Sequence, residues 1–298
     1  VSALMATLHA RGPKPSRLTI GRIGLYAFLI LAALFFLLPL YTMLVTSLKT
    51  MEEIRQGRIF ALPDTVDFDA WKTAWSGACM GTQCLGVRVG FWNSVKITVP
   101  AVVISVFIGA INGYALSFWR PKGSGLLFGL LMAGGLIPYQ IFLYPLVRLL
   151  ANVSLYNSVA GVVLVHVIFG LPLVTLLFRN YFMAIPEELC KAARVDGAGF
   201  WRIFLEIMLP MSAPMVVVAS IFQFTGIWND FLIGLVFAGR DNLPMTVQLN
   251  NIVNTTMGER TYNVNMAATI LTAFVPLAIY FFSGRWFVRG VAAGAVKG

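Results

Sequence analysis

Charge is scarce in this chain. Only 11% of its 298 residues are Asp, Glu, Lys or Arg, against roughly 25% in a soluble domain. Histidine is scarcer: His9 and His166 lie too far apart for a zinc-hydrolase motif. The three cysteines, Cys79, Cys84 and Cys190, form no CxxC pair, so no metal-ligand spacing exists. No GxxxxGK[ST] loop is present to cradle the phosphates of ATP. No paired carboxylates or Ser/His arrangement lie at membrane depth. Metal-dependent, hydrolytic and self-energised functions all lack their residues. The net charge of +10 comes without a basic stripe interleaved with aromatics, so it points to the loops of a membrane protein, not to nucleic acid.

What the chain has is apolar sequence: 58% of residues are hydrophobic, with mean hydropathy +0.81. A span needs roughly 20 apolar residues, and six runs qualify: 21–48, 91–118, 125–150, 156–178, 213–238 and 265–287. An all-α integral membrane fold of six spanning helices follows. The first run is too long for a signal-peptide core, so no cleavable leader is expected. With the N-terminus inside, 13 bases fall on the inner side and nine on the outer side. Five of those nine sit in a long outer loop, which weighs little. Both termini are therefore expected in the cytoplasm. The layout is an N-terminal segment 1–20, a six-helix membrane body 21–298, outer loops 49–90 and 239–263, an inner loop 179–212 and a tail 288–298. Gly109 with Gly113, and Gly125 with Gly129, have the four-residue spacing that lets helices approach closely. Cys79 and Cys84 in the outer loop are either a small-loop disulfide or two thiols. Cys190 falls inside and should stay reduced.

The stretch Glu187–Pro210 is a polar island between two spans. Pro186 suits a first helical position, and Glu187 and Glu188 then complement the helix dipole. Glu187 and Lys191 are spaced i,i+4. Ala192 and Ala193 leave one face low, and Asp196-Gly197 reads as a stop. A second short helix, 200–208, follows. This helix–turn–helix is either a docking element for an aqueous partner or an amphipathic loop lying on lipid.

Two polar groups fall within the apolar runs. Asp230, near the outer end of the fifth, is costly there unless paired or solvated. It is either a gate or polar wall of a solute path, or a hydrogen-bond partner of Asn229 or Gln223. His166 reads as a lone histidine bonded between helices. With so few intramembrane ionisable groups and no internal repeat, an ion-coupled secondary carrier is the weaker alternative.

Ala192-Ala193, then Gly197 four residues on, then Ile207-x-Leu209-Pro210 ten residues after that glycine, resembles the EAA loop of binding-protein-dependent ABC importers. Lys191 stands where that pattern has glutamate. The sequence Ala184-Ile185-Pro186-Glu187-Glu188-Leu189 and the tail from Gly290 to Gly298 also look like the smaller permease of maltose-type carbohydrate importers. Trp228-Asn229-Asp230-Phe231 looks closest to glucose/mannose-type members. The resemblance implies a non-catalytic subunit of a bacterial inner membrane importer, paired with a second permease and two ATPases that hold ATP and Mg. It implies ATPase docking by Glu187, Glu188, Lys191, Ala192, Ala193, Asp196, Gly197, Gly294, Lys297 and Gly298. Gln223, Trp228, Asn229 and Asp230 supply the amide, aromatic and carboxylate types that a sugar path uses. Gln248, Asn250, Asn251 and Asn254 lie in the outer loop that would meet an extracytoplasmic sugar-binding protein.

Overall fold

The computed structural model describes residues 19–80, 83–254 and 260–295, with side chains as far as 284. Lys297, Gly298 and nearly all of the segment 1–20 lie outside the described residues.

The first run forms α1 (Ile20–Ser47), exposed along almost its whole apolar length. Surface of this kind is sustained by lipid or by a neighbouring helix, not by water. Short helices α2 (Met51–Arg55) and α3 (Asp69–Ser76) follow, then the hairpin strands β1 (Cys79–Met80) and β2 (Gln83–Cys84). A capping box between Thr50 and Glu53 starts α2. Cys79 and Cys84 pair across the hairpin and are joined by a disulfide.

The second run forms α4 (Arg88–Tyr114), which ends in a π turn, Ala115–Trp119, and a left-handed Arg120. The third run differs from the continuous helix expected over 125–150. It breaks into α5 (Ser124–Leu136) and, after a 3-10 turn at Tyr139–Phe142, α6 (Leu143–Asn152), with a 93° bend. Pro138 is the cause: Ile137 before it is driven to extended backbone, ψ 128°. The fourth run is α7 (Val159–Met183), opened by Ser158, whose Oγ accepts from the Gly161 amide at 3.0 Å.

The polar island folds as α8 (Glu187–Val195), α9 (Phe200–Ile203) with a π turn at Phe204–Met208, and α10 (Leu209–Met211). The fifth run is interrupted and not the continuous helix expected over 213–238. It begins as α11 (Ala213–Trp228), stops at Trp228 and resumes as α12 (Leu232–Phe237). The outer stretch 239–263 is no open loop, because it carries α13 (Met245–Val253). The last run is α14 (Tyr262–Ala295). Among the described residues four helices are long and apolar enough to cross a membrane alone, and the number reaches six if two bent pairs, Ser124–Leu136 with Tyr139–Asn152 and Phe200–Met211 with Ala213–Trp228, each count as one span.

Helices α4 and α7 make the central pair. A Cβ on Gly109 would stand 2.5 Å from the Val174 side chain, and one on Gly113 would stand 2.6 Å from Phe178. The two backbones meet because both side chains are missing. Ser117 Oγ then donates to the carbonyls of Gly113 (2.8 Å) and Arg179 (3.2 Å), stitching the C-terminal ends of α4 and α7 together. The second glycine pair behaves differently: Gly125 and Gly129 face open space within this chain.

Replacing Gly113 by Ala should cost about 1–3 kcal/mol through overpacking. Thermal unfolding in detergent would show it as a lowered midpoint, whereas Gly129→Ala, facing open space inside a helix, should hold or raise the midpoint.

Candidate functional site

Within the island, α8 begins at Glu187 with Pro186 as its cap, one residue later than a proline-first helix. Its end is a Schellman motif. The Gly197 amide donates to Arg194 O (3.0 Å) and the Ala198 amide to Ala193 O (2.9 Å), with Gly197 at φ 78°. A side chain there would be strained, so Gly197 fixes the turn between α8 and α9. Lys191 Nζ lies 3.7 Å from Glu187 Oε2, the pair that the i,i+4 spacing predicts. Both are exposed, so the pair contributes at most a few tenths of a kcal/mol. The second helix runs past Met208 to Met211, with Pro210 in the first turn of α10, where its missing amide costs little.

The two expected alanines part company. Ala192 is exposed, but Ala193 is buried in the chain's own core. One step along a helix turns the side chain by about 100°, so adjacent residues cannot share a narrow face. Cys190, 1% exposed, lies beside Ala193 in a cluster with Ala110 and Tyr114 of α4, Phe178 and Phe182 of α7, and Phe204. Tyr114 stacks on Phe204 with ring centroids 5.6 Å apart. The inner face of the elbow thus packs against α4 and α7. Its outer face carries Glu187, Glu188, Lys191, Ala192, Asp196 and Val195, the last an apolar side chain left 87% exposed.

A further tie was not legible in the spacing. The Arg194 guanidinium sits 4.5 Å over the Trp119 ring and donates to Phe118 O at 3.2 Å. Trp119 Nε1 in turn donates to Tyr114 Oη at 2.7 Å. The only signal in the sequence was an aromatic next to the Arg120-Pro121 break. Gly294 falls in the last turns of α14, beyond the described side chains, and Lys297 and Gly298 fall outside the described residues.

The expected solute-path residues divide between the interior and the surface of the chain. Trp228 is 1% exposed, lies parallel to Phe224 and donates through Nε1 to Thr272 O at 3.2 Å. Gln223 is buried too; its Nε2 donates to Ser105 Oγ (3.1 Å) and His166 O (3.4 Å), joining α11 to α4 and α7. Asp230 bonds to neither Asn229 nor Gln223. Its Oδ2 accepts from the amides of Ile233 (2.9 Å) and Gly234 (3.2 Å), capping α12 at the break in the fifth run. The carboxylate satisfies amides that the break exposes. Asn229 alone of the four is exposed.

The outer residues divide similarly. Gln248, expected on a solvated surface, is 3% exposed, and its Oε1 accepts from the Gly90 amide at 2.6 Å. Asn250 and Asn251 are half-buried, and exposed Asn254 donates to Asn250 O and Oδ1, both at 2.9 Å. Helix α13 turns one face inward, which loop composition did not reveal.

The family described as the binding-protein-dependent transport system inner membrane component matches residues 94–293. The chain belongs to this family. The permease is 35% identical over 285 residues to a probable ABC transporter permease protein of Pyrococcus horikoshii, covering 95% of this chain and 99% of the other. It is 31% identical to the glucose import system permease protein GlcU of Saccharolobus solfataricus, covering 92% and 95%. A solved bacterial ABC transporter that imports the acidic polysaccharide alginate shares the fold, with TM-score 0.72 and 20% identity, over 91% of this chain and 99% of that one. The permease is therefore a non-catalytic membrane subunit.

Two outcomes test this geometry. Asp230→Ala removes the α12 cap and should cost about 1 kcal/mol, whereas Asp230→Asn keeps an acceptor and should cost less; unfolding midpoints of the two variants would separate them. Burial raises the Cys190 thiol pKa, partly offset by Arg194 and reinforced by Glu187. The thiolate fraction is thus below that of a free thiol at any given pH. Maleimide should leave Cys190 unlabelled even at about pH 8.5, the ordinary thiol pKa, until denaturant opens the elbow.

Proposed function

We propose that the permease is one half of the pore of an ATP-driven, binding-protein-dependent sugar importer, with a monosaccharide such as glucose or mannose as its cargo. One observation carries the mechanism: the α8–α9 elbow is locked inward onto α4 and α7 while its outer rim is left uncovered. A lever needs both properties. The exposed rim of Glu187, Glu188, Lys191, Ala192, Val195 and Asp196 is the surface offered to an ATPase. Lys191 forms its ion pair with Glu187, so the carboxylates one turn earlier supply the acidic contact that the resemblance puts at position 191.

Two ATPase subunits hold ATP and Mg; one docks on this elbow and the other on the elbow of a second, related permease. Their closure presses on α8. Cys190, Ala193 and Phe204 carry that push into α4 and α7, because a close-packed core shifts as a body. The spans then rock from inward-facing to outward-facing, and an extracytoplasmic binding protein releases sugar into the cavity between the two permeases. Both termini and the elbow lie on the cytoplasmic side, in keeping with the distribution of Lys and Arg. The glucose-import relative supports the choice of sugar, and so does Trp228-Asn229-Asp230-Phe231.

Gly197→Pro tests the lever. Proline cannot adopt φ 78°, so the α8–α9 turn must reorganise. ATP-driven sugar uptake should fall to background while the chain still inserts in the membrane. Uptake that survives would remove the elbow from the coupling path. Purification in mild detergent should recover a second permease and an ATPase with this chain, and binding assays on the accompanying binding protein would name the sugar.

A further inference from the structure

The stretch that follows α2 turns back along α1. Tyr41 Oη donates to Phe60 O at 2.8 Å, Lys49 Nζ to Arg58 O at 2.7 Å, and the Asp67 amide to Leu48 O at 3.0 Å. Tyr41 precedes Leu48 by seven residues, about 10 Å along the axis, and helical side chains lean towards the N-terminus. The strap 56–67 thus descends beside α1 as far as Tyr41 and climbs back to Leu48. A helix crosses the apolar layer of a membrane in roughly 20 residues. Arg22 is the one charged residue of α1, and Tyr41 follows it by 41 − 22 = 19. Tyr41 and Phe60 therefore stand at the far boundary of that layer, a level where tyrosine is common.

Ile59, Phe60 and Leu62 are 57%, 58% and 69% exposed, an apolar tip on an irregular loop. The backbone around this tip is bonded to the chain and not left to water. The carbonyls of Arg58 and Phe60 are taken by Lys49 and Tyr41, and the Asp64 amide by Glu53 Oε1 at 3.0 Å. Such pairing is what a loop needs where water is scarce. We propose that the tip 59–62 is an anchor inserted at the headgroup–acyl boundary of the outer leaflet, an interfacial attachment and not a span. The flanking charges favour lipid over a second protein. Arg58 and Asp64 form an exposed ion pair at 2.9 Å beside the apolar residues. A headgroup layer solvates that pair, whereas the core of a protein interface is depleted of charge. Lys49 is buried, and its carbonyl accepts from Asn263 Nδ2 at 3.1 Å, so the strap is fastened to α14 as well as α1. Inserting the tip pins the adjoining ends of both helices at one depth. Only the choice of leaflet rests on the orientation proposed above.

Spin labelling tests this on the full chain, purified with the subunits that accompany it and reconstituted in vesicles of phosphatidylethanolamine and phosphatidylglycerol. Ile59→Cys and Leu62→Cys each receive a nitroxide, and Glu52→Cys on α2 gives the aqueous reference. All three positions are exposed, so the fold tolerates the change. The chain's own cysteines do not compete, because Cys79 and Cys84 are joined and Cys190 is buried. The parent complex supplies the background. Labels at 59 and 62 should relax with dissolved oxygen, which concentrates in lipid, and should lose the response to an aqueous nickel chelate that the label at 52 shows. An oxygen-to-nickel ratio at 59 and 62 no higher than at 52 would place the strap in water and overturn the proposal. Labels shielded from both reagents would place it beneath a partner protein and overturn it equally.

Discussion

The polar island depends on the packing of α8 and Phe204 against α4 and α7. That seat exists because α4 and α7 are already joined. Gly109 and Gly113 remove the side chains that would hold the two helices apart, and apolar burial alone would not bring them together in lipid. The close approach sets where Phe178 and Phe182 stand, and those rings form the seat for Cys190 and Ala193. A polar island that looks independent in sequence is thus an outgrowth of a pair formed by α7, which immediately precedes it, and α4, which ends at Tyr114 far earlier in the chain. Its outer rim is unencumbered because its inner face is fully committed.

What could be read from the sequence follows from how local each signal is. Six apolar runs and the glycine pair on α4 were legible because length and four-residue spacing are local properties. The Gly197 stop and the Glu187–Lys191 pair were legible for the same reason. The break at Pro138 was also written in the chain, yet hydropathy averages over a proline and reads one span. Ala193, Trp228, Gln223 and Gln248 were misplaced for a different reason. Each has a residue type that suits a surface or a path, and each is drawn inward by groups distant in sequence: the cluster on α4 and α7 for Ala193, then Thr272, Ser105 and Gly90. Composition describes what a side chain can do, and only tertiary packing decides where it points.

Asp230 shows how a break can resemble a site. A carboxylate within an apolar run suggests function, but a helix that stops inside that run exposes amides which also need an acceptor. The structure places those amides against it. Asn229 beside it remains exposed, so the break presents one amide side chain outward while its acid is consumed by the backbone. The bent spans leave this chain with apolar faces on α1 and α5 that it does not cover itself, as expected of a protein that works beside others.

The outer end is tied differently, and the ties set an order of events. Gly90 bonds Gln248, Ser94 bonds Met245, and Asn93 reaches the carbonyls of Asp241 and Leu243, across separations of 148 to 158 residues. A ribosome adding about 5–20 residues per second needs roughly 8–30 s to supply the second partner of each bond. Throughout that interval α4 is already made, with its outer turn unlatched. Helix α13 is therefore the piece that latches this turn, and in a chain truncated before Met245 it would never latch.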